Sequence, residues 1–277
     1  MPSLNPQLLV IDPQNDFCDL PEDWCPGRQR PSLPVAGAHA DMQRLAGWIR
    51  REGLKLDAIT VTLDSHQRYD IAHPAFWQQG NGDDSGDVAP FTAITAAQVR
   101  AGVFRPRNAE ALQRSLEYLD ALEANSRYTL MVWPVHCEVG SWGHGIHADV
   151  LAACGDWQQQ RQRAVYNVFK GLNPWTEHYS ALLAEVPDPA DPATLLNTAL
   201  LERLAQADML VVAGEASSHC VRSTVEHLVE HLPHPERIVL MHDAMSPVPG
   251  FESAHHDFLA AMQARGLRLA SSQELHL

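Results

Sequence analysis

The chain alternates short apolar runs with amphipathic segments, and this alternation restricts the fold more than any other feature of the sequence. Predicted strands lie at Leu8–Asp12, Leu56–Thr62, Arg127–Trp133, Arg163–Phe169, Asp208–Ala213 and Arg237–His242, with a short last strand at Leu267–Ala270. Predicted helices lie at Ala40–Glu52, Ala93–Ala101, Ala109–Ala124, Leu195–Ala205, Val221–His231 and His255–Arg265. Strands that alternate with helices favour a mainly parallel sheet with helices on both faces. The sequence therefore predicts a three-layer α/β/α fold around a sheet of roughly six strands.

The length of 277 residues suits one large domain, within which one segment has the character of an addition. Residues 78–126 start with a polar stretch rich in Gly and Asp, and they separate two groups of motifs. Long segments of this kind in compact domains commonly have a function of their own. We expect a single domain over residues 1–277, with residues 78–126 as an insertion or lid.

Composition and charge narrow the classes of partner. The formal net charge of −14 argues against binding to nucleic acid or to anionic membranes. No apolar run approaches the length of a membrane span, and the first residues lack the basic region of a secretory signal. Five scattered cysteines do not suggest a disulfide framework and fit a reducing compartment. We expect a cytoplasmic homo-oligomer that binds neither nucleic acid nor membrane.

Cys220 occupies the point where a predicted strand passes into a predicted helix. Gly214 ends the apolar run, and the residues after Cys220 have helical spacing, with one apolar face at Val221, Val225, Leu228 and Val229. Such a point lies on the rim where open α/β sheets bind their ligands. A helix N-terminus also favours negative charge, so a cysteine there tends to be a nucleophilic thiolate. The alternative is a buried apolar cysteine, so Cys220 needs partners before it can be called catalytic.

Two charged residues end other predicted strands on the same rim. Asp12 closes the first strand and is placed to accept a thiol proton. Lys170 interrupts an apolar run at the end of the fourth strand, and a lysine there requires a partner, which Asp12 can provide. A cation beside Cys220 also favours the thiolate. Taken singly, Asp12 as a turn cap and Lys170 as a solvated residue remain open.

A second group of residues has metal-ligand chemistry. Asp64 and His66 follow the second strand and point to the same side, because side chains alternate along an extended chain. His73 and His136 come after them on the same rim. One carboxylate with two or three imidazoles suits zinc, iron or manganese. Some of the 15 histidines must be neighbours by chance, so the prediction depends on their common place at strand exits.

Taken together and in order, these motifs resemble the cysteine hydrolases of the isochorismatase superfamily, and within it the nicotinamidase branch. The resemblance covers Leu8–Phe17, Thr60–Trp77, Trp133–His147, Val165–Ser180, Leu210–Thr224 and, more loosely, Asp243–Pro249. It implies that Cys220 is the nucleophile, that Asp12 accepts and donates the proton, and that Lys170 holds both. The implied reaction is hydrolysis of a small amide.

The resemblance also implies roles for the residues around this triad. One divalent metal ion, most simply zinc, would be bound by Asp64, His66 and His136, with His73 as a further ligand. The oxyanion hole would use the backbone amides of Ala216 and Cys220, with a cis peptide at Glu215–Ala216. The wall of the substrate pocket would consist of Phe17, Trp133, Tyr179 and His219.

Departures from the family pattern border the pocket and bear on the substrate. Glu215 stands where the family usually has an aliphatic residue, and the segment after Lys170 is longer than usual. The spacing from His66 to His73 is also longer. We expect cleavage of nicotinamide to nicotinate and ammonia. The open alternatives are another small amide or ureido substrate, an inactive metal-binding scaffold, and metal-free vinyl-ether hydrolysis of the isochorismatase type.

Overall fold

The structure, a computed structural model, describes residues 4–80 and 86–277. Its strands are β1 (Pro6–Ile11), β2 (Ala58–Asp64), β3 (Trp77–Gln79), β4 (Gly86–Asp87), β5 (Thr92–Ile94), β6 (Phe104–Pro106), β7 (Leu130–Val132), β8 (Tyr166–Lys170), β9 (Met209–Gly214), β10 (Ile238–Met241) and β11 (Arg268–Ala270). Its helices are α1 (Ala38–Glu52), α2 (Ala96–Arg100), α3 (Leu112–Ala124), α4 (Ala148–Arg161), α5 (Thr198–Leu204), α6 (Cys220–His231) and α7 (Glu252–Ala264). Residues 81–85 of the predicted insertion lie outside the described residues.

A sheet of six parallel strands forms the centre of the fold, in the order β11, β10, β9, β1, β2, β8. The chain builds one half of the sheet from β1 and the other half from β9, so its direction of travel reverses between these neighbours. Because crossovers between parallel strands are right-handed as a rule, this strand order predicts α1 and α4 on one face and α5, α6 and α7 on the other, and α1 packs against α4. The predicted three-layer α/β/α fold is confirmed. The carboxyl ends of β1 and β9 adjoin at the reversal, which is where such sheets bind ligands.

Burial of the central strands and of one face of α1 forms the main hydrophobic core. All six residues of β1 are buried, as expected for a strand with helices on both faces. The predicted apolar face of α1 is also buried, through Met42, Leu45, Trp48 and Ile49. Trp48 satisfies its indole N–H by donating to the Leu275 carbonyl oxygen at 2.8 Å. Among the described residues, no helix has the length and apolar character needed to cross a membrane.

A second hydrophobic cluster lies outside the central sheet, mostly between Trp77 and Val132. Strands β4, β3 and β6 form a small antiparallel sheet there, and β5 pairs with β7 in a two-stranded ribbon. The cluster includes buried side chains from these strands, from α3 and from the preceding loop, among them Phe76, Trp77, Ile94, Tyr118, Leu119 and Leu130. Most of the predicted insertion therefore packs on an apolar cluster of its own.

Two predicted elements differ in this region. The strand expected at Arg127–Trp133 is shorter, runs antiparallel to β5 and does not join the central sheet, because its buried side chains belong to the second cluster. β11 completes the central sheet instead. The helix expected at Ala93–Ala101 starts only at Ala96, since Thr95 and Gln98 form a capping box that fixes its first turn.

Helix α4 was missed in the sequence, although a signal for it is present. Its buried residues are Val150, Ala153, Cys154 and Trp157, which have the spacing of one helical face. The His147 side chain caps the helix by accepting from the Asp149 amide at 3.3 Å. Few large apolar residues mark this face, so the polar residues around it dominated the pattern.

Gly214 ends β9 at a close approach to β1, and its substitution tests this packing. Its φ is +123°, and a Cβ there would lie 2.0 Å from the Ile11 carbonyl oxygen. Gly214→Ala should therefore lower the free energy of unfolding in urea by about 3 kcal/mol or more, through strain and displaced backbone. Gly47→Ala, at an exposed position of α1 with open space for a Cβ, should raise it by about 0.5–1 kcal/mol. Equal stabilities of the two variants would contradict the close approach.

Candidate active site

Asp12, Lys170 and Cys220 meet at the carboxyl edge of the central sheet. Asp12 follows β1, Lys170 ends β8, and Cys220 begins α6. Lys170 Nζ lies 2.9 Å from Asp12 Oδ2 and 3.5 Å from Cys220 Sγ. A carboxylate oxygen of Asp12 lies within 4.8 Å of Sγ. The three residues predicted to be catalytic are therefore adjacent, and all are buried.

Burial controls the protonation of this group. It raises the pKa of the Asp12 carboxyl, and the Lys170 ammonium opposes that rise. It also raises the pKa of the Cys220 thiol well above its usual value, and Lys170 offsets only part of this. Desolvation thus outweighs the neighbouring cation and favours the neutral thiol, and the thiolate expected at a helix N-terminus stays a prediction from the sequence. A thiol in such surroundings requires a base to become a nucleophile.

Thr62 and Gln14 hold the acidic residues in place, and neither was recognised in the sequence. The Thr62 hydroxyl donates to Asp12 Oδ1 at 2.5 Å and accepts from the Asp12 amide at 3.1 Å. The Gln14 side chain donates to the Asp64 carbonyl oxygen at 2.8 Å and accepts from the Asp64 amide at 2.7 Å. Nothing in the sequence distinguishes these polar residues from others near strand ends.

Asp64, His66 and His136 present one ligand atom each to a common point, with all three atoms within 4.8 Å of one another. Asp64 Oδ2 lies 3.1 Å from His66 Nε2 and 3.4 Å from His136 Nε2. The outer ring nitrogens are held by Asp70 Oδ2 at 3.0 Å and by the Pro134 carbonyl oxygen at 2.8 Å. Ligand atoms of a tetrahedral zinc ion lie about 3.3 Å apart, so these residues fit such an ion.

Asp64 joins this group to the triad. Its Oδ1 accepts from Lys170 Nζ at 2.9 Å, while its Oδ2 faces the two imidazoles. Burial raises the pKa of Asp64, but His66 and Lys170 outweigh burial and hold it well below its usual value. For Lys170 burial lowers the pKa, but Asp12 and Asp64 outweigh burial and raise it well above its usual value. One ammonium therefore pairs with two carboxylates.

His73 lies beside the three-residue group rather than within it. Its Nδ1 contacts the Gln67 carbonyl oxygen at 3.0 Å, and its Nε2 lies 3.3 Å from His136 Nδ1, the nitrogen away from the common point. Burial, followed by the effect of His136, lowers the pKa of His73 to about 3, so it is neutral. Its role as a further metal ligand stays a prediction from the sequence.

The segment between β9 and α6 has the backbone geometry expected near an oxyanion hole. The peptide bond Glu215–Ala216 is cis, as expected. The Ala216 carbonyl oxygen accepts from the amides of His219 and Val221 at 3.0 and 3.1 Å. Within residues 4–80 and 86–277, no hydrogen bond uses the amides of Ala216 or Cys220. These two donors are available to a ligand.

The residues predicted for the pocket wall divide into two places. Trp133 donates its indole N–H to the Tyr179 hydroxyl at 3.2 Å, and the His219 ring centre lies 5.3 Å from both rings. Phe17 lies instead against His136, at a ring separation of 5.5 Å. The wall therefore has an aromatic cluster around His219, the residue before Cys220, and one ring beside the candidate metal ligands.

Three further aromatic residues extend this wall and were missed in the sequence. Tyr128 packs on Tyr179 at 4.7 Å, and Phe251 packs on His219 at 4.7 Å. Phe91 lies edge-on to Trp133 at 6.0 Å and is 56% exposed. They lie outside the recognised motifs, so only the folded chain brings them to the site.

No protein-family model and no curated protein matches the chain. Solved structures do match it along almost its whole length. The nicotinamidase/pyrazinamidase of Acinetobacter baumanii is 19% identical, with 99% of each chain covered and a TM-score of 0.63. Yeast nicotinamidase bound to the inhibitor nicotinaldehyde is 18% identical, with 96% of this chain and 99% of that chain covered and a TM-score of 0.64.

The pyrazinamidase of Pyrococcus horikoshii in complex with zinc is also similar, at 18% identity with 96% of this chain and 99% of that chain covered and a TM-score of 0.56. At identities this low, the structural matches establish a shared architecture only. The chemistry has to be inferred from the residues of the site. The family resemblance of the motifs is thus confirmed at the level of the fold: the chain has the nicotinamidase fold.

Proposed function

We propose that the protein is a metal-dependent cysteine amidohydrolase that cleaves a small carboxamide, with nicotinamide as the first candidate. The observation that carries the proposal is Lys170, whose ammonium lies within 3.5 Å of both Asp12 and the Cys220 sulfur. A buried thiol with an adjacent carboxylate and cation is suited to nucleophilic catalysis. The similar structures described as nicotinamidases support the choice of substrate class.

The first half of the reaction forms a thioester. Asp12 takes the proton of Cys220 Sγ, and Lys170 stabilises first the Asp12 carboxylate and then the thiolate. The sulfur attacks the amide carbon, and the carbonyl electron pair moves to oxygen, where the amides of Ala216 and Cys220 donate to it. Asp12 then returns the proton to the nitrogen, the C–N bond breaks, and ammonia leaves.

The second half hydrolyses the thioester. Asp12, now a carboxylate again, takes a proton from a water molecule as that water attacks the acyl carbon. The C–S bond breaks, the sulfur regains the proton from Asp12, and the carboxylic acid departs. Lys170 keeps its proton throughout, since the two carboxylates raise its pKa well above its usual value against the opposing effect of burial.

The candidate metal ligands are Asp64, His66 and His136. A bound divalent ion, with zinc preferred and iron or manganese as alternatives, would supply a Lewis acid that orients the substrate ring and polarises water. Asp70 and the Pro134 carbonyl hold the outer nitrogens and would thereby keep both Nε2 atoms directed at a bound ion.

A different small amide or ureido compound is the second candidate substrate. Phe91 and Tyr128 support this alternative, because they extend the aromatic wall beyond the residues recognised in the motifs. An inactive scaffold is disfavoured because the proton-handling residues are adjacent and complete. Metal-free vinyl-ether hydrolysis is disfavoured by the converging ligand atoms. A homo-oligomeric state and a cytoplasmic location stay predictions from the sequence.

Replacing the nucleophile should abolish turnover. Cys220→Ala removes the atom that forms the thioester, so ammonia release from nicotinamide and from a panel of small amides should fall by about 10⁴-fold or more. Cys154→Ala, which removes a buried thiol of α4, is the matched control and should remain active. If the Cys220 variant is folded, as judged by circular dichroism, and still turns over amide, Cys220 is not the nucleophile.

Loss of one candidate ligand should remove the metal and the activity together. His136→Ala should lower metal content, measured by mass spectrometry of the purified protein, well below one ion per chain, with a loss of amide turnover. His234→Ala, at a surface position, should retain both. Full metal content and full turnover in the His136 variant would refute this site.

We also propose that the described residues of the insertion, 78–80 and 86–126, form a lid over the aromatic wall, with Phe91 as its contact to Trp133. Phe91→Ala should raise KM for the amide several-fold and change kcat less, because it removes a packing contact without touching the triad. Val103→Ala removes another exposed apolar side chain of the same segment and should leave KM unchanged. An unchanged KM in the Phe91 variant would contradict the proposed lid.

A further inference from the structure

Glu215 is a fully buried carboxyl group directly before the cis peptide. Its side chain is 0% exposed, and its Oε2 accepts from the Ser246 amide at 3.0 Å. The Asp41 carboxyl of α1 is 2% exposed and lies close enough to the Glu215 carboxyl for the two to share a proton. The buried carboxyl groups of Glu215 and Asp41 are thus neighbours, next to the backbone that carries the Ala216 amide.

The partners of these oxygens show where a proton must lie. Asp41 already accepts from the Ser246 hydroxyl at 2.5 Å and from the Arg44 guanidinium. Within the described part of the chain, Glu215 Oε1 has no donor. A carboxylate only accepts, so two carboxyl groups can bond to each other only when one is protonated. Glu215 is therefore the donor and Asp41 the acceptor.

The hydrogen bonds around Ser246 connect this pair to the segment after β9. The Ser217 amide donates to the Ser246 carbonyl oxygen at 2.9 Å, and the Val248 amide donates to the Ser218 hydroxyl at 3.1 Å. Ser246 itself is bonded to both carboxyl groups. The segment that carries Ala216 is thereby tied to α1 and to the loop around Ser246.

We propose that Glu215 is a positioning residue: as a neutral acid it donates to Asp41 and so holds the Ala216 amide where an oxyanion can use it. The catalytic half of this inference rests on the proposed function, whereas the shared proton does not. An aliphatic residue at this position would leave the Ser246 amide and the Asp41 carboxylate without their partner. Removing one oxyanion donor typically lowers kcat by about 10²–10³-fold, which sets an upper bound for misplacing it.

The charged and titratable groups around the pair favour a proton on Glu215. Asp41 and Arg44 face it from α1, Cys18 and Asp19 lie near it on the loop after β1, and His255 of α7 bonds to the Ser217 hydroxyl at 2.7 Å. Burial, then the Asp41 charge, raises the pKa of Glu215 well above its usual value. Burial lowers the pKa of His255, so it adds no charge near neutral pH.

The shared proton is tested by the pH dependence of stability. The folded state holds a proton on Glu215 that the unfolded chain releases above its ordinary pKa, so wild-type stability falls as pH rises towards the raised pKa. Gln at position 215 cannot ionise. The thermal unfolding midpoint of Glu215→Gln should therefore rise steadily relative to that of the wild type between pH 6 and pH 9.

Glu52→Gln is the matched control for loss of a buried glutamate. The ion pair with Lys55 lowers the pKa of Glu52 to about 2, so Glu52 is ionised in both states over this window. The unfolding midpoint of Glu52→Gln should therefore lie below that of the wild type by the same amount at every pH in this window. If the unfolding midpoints of the wild type and of Glu215→Gln change with pH in the same way, Glu215 and Asp41 do not share a proton. Asp41→Asn, which removes the negative neighbour, should reduce the wild-type slope, and an unreduced slope would also count against the shared proton.

The positioning role is tested by kcat with the metal-loaded enzyme. Glu215→Leu should lower kcat at least tenfold with little change in KM or metal content, and Glu215→Gln should restore it, because its amide donates to Asp41 and accepts from Ser246. A wild-type kcat in the Leu variant, or failure of Gln to restore kcat, would overturn positioning. Turnover by Cys220→Ala would instead overturn the proposed function, and the stability test would be unaffected.

Discussion

The buried ammonium of Lys170 is the interaction on which the candidate site depends. An ionised group inside a protein is costly unless it is paired, and Lys170 is paired with Asp12 and Asp64 at 2.9 Å each. Removing it would leave two adjacent buried carboxylates in mutual repulsion. Since Asp12 serves the thiol and Asp64 faces the imidazoles, this one cation holds both halves of the site together.

Burial gives the acidic and thiol groups of the site their different states. It favours the neutral thiol of Cys220 and the neutral carboxyl of Glu215, while Asp64 stays ionised because cations face it. The proton of Glu215 is shared with Asp41, whereas that of Cys220 moves to Asp12 in the proposed reaction. A common desolvation thus produces different protonation states through different neighbours.

The sequence predicted those parts of the site that depend on local pattern. The ends of apolar runs located Asp12, Lys170 and Cys220, and period-two alternation placed Asp64 beside His66, because parallel strands end at one rim. Contacts made across the fold have no such pattern: Asp41 comes from a helix, and Tyr128 from beyond the insertion. The strand expected at Arg127–Trp133 failed for the same reason, since its pairing partner β5 was itself read as helix.

The second hydrophobic cluster supports part of the aromatic wall separately from the strands that carry the candidate catalytic residues. Its strands pair with each other rather than with the central sheet, so substitutions there can accumulate without disturbing the strands that carry Asp12 and Lys170. Yet β7 runs directly into Trp133, and Phe91 leans on the same ring. A substitution in the second cluster can therefore reshape the aromatic wall while the strands that carry Asp12 and Lys170 stay undisturbed.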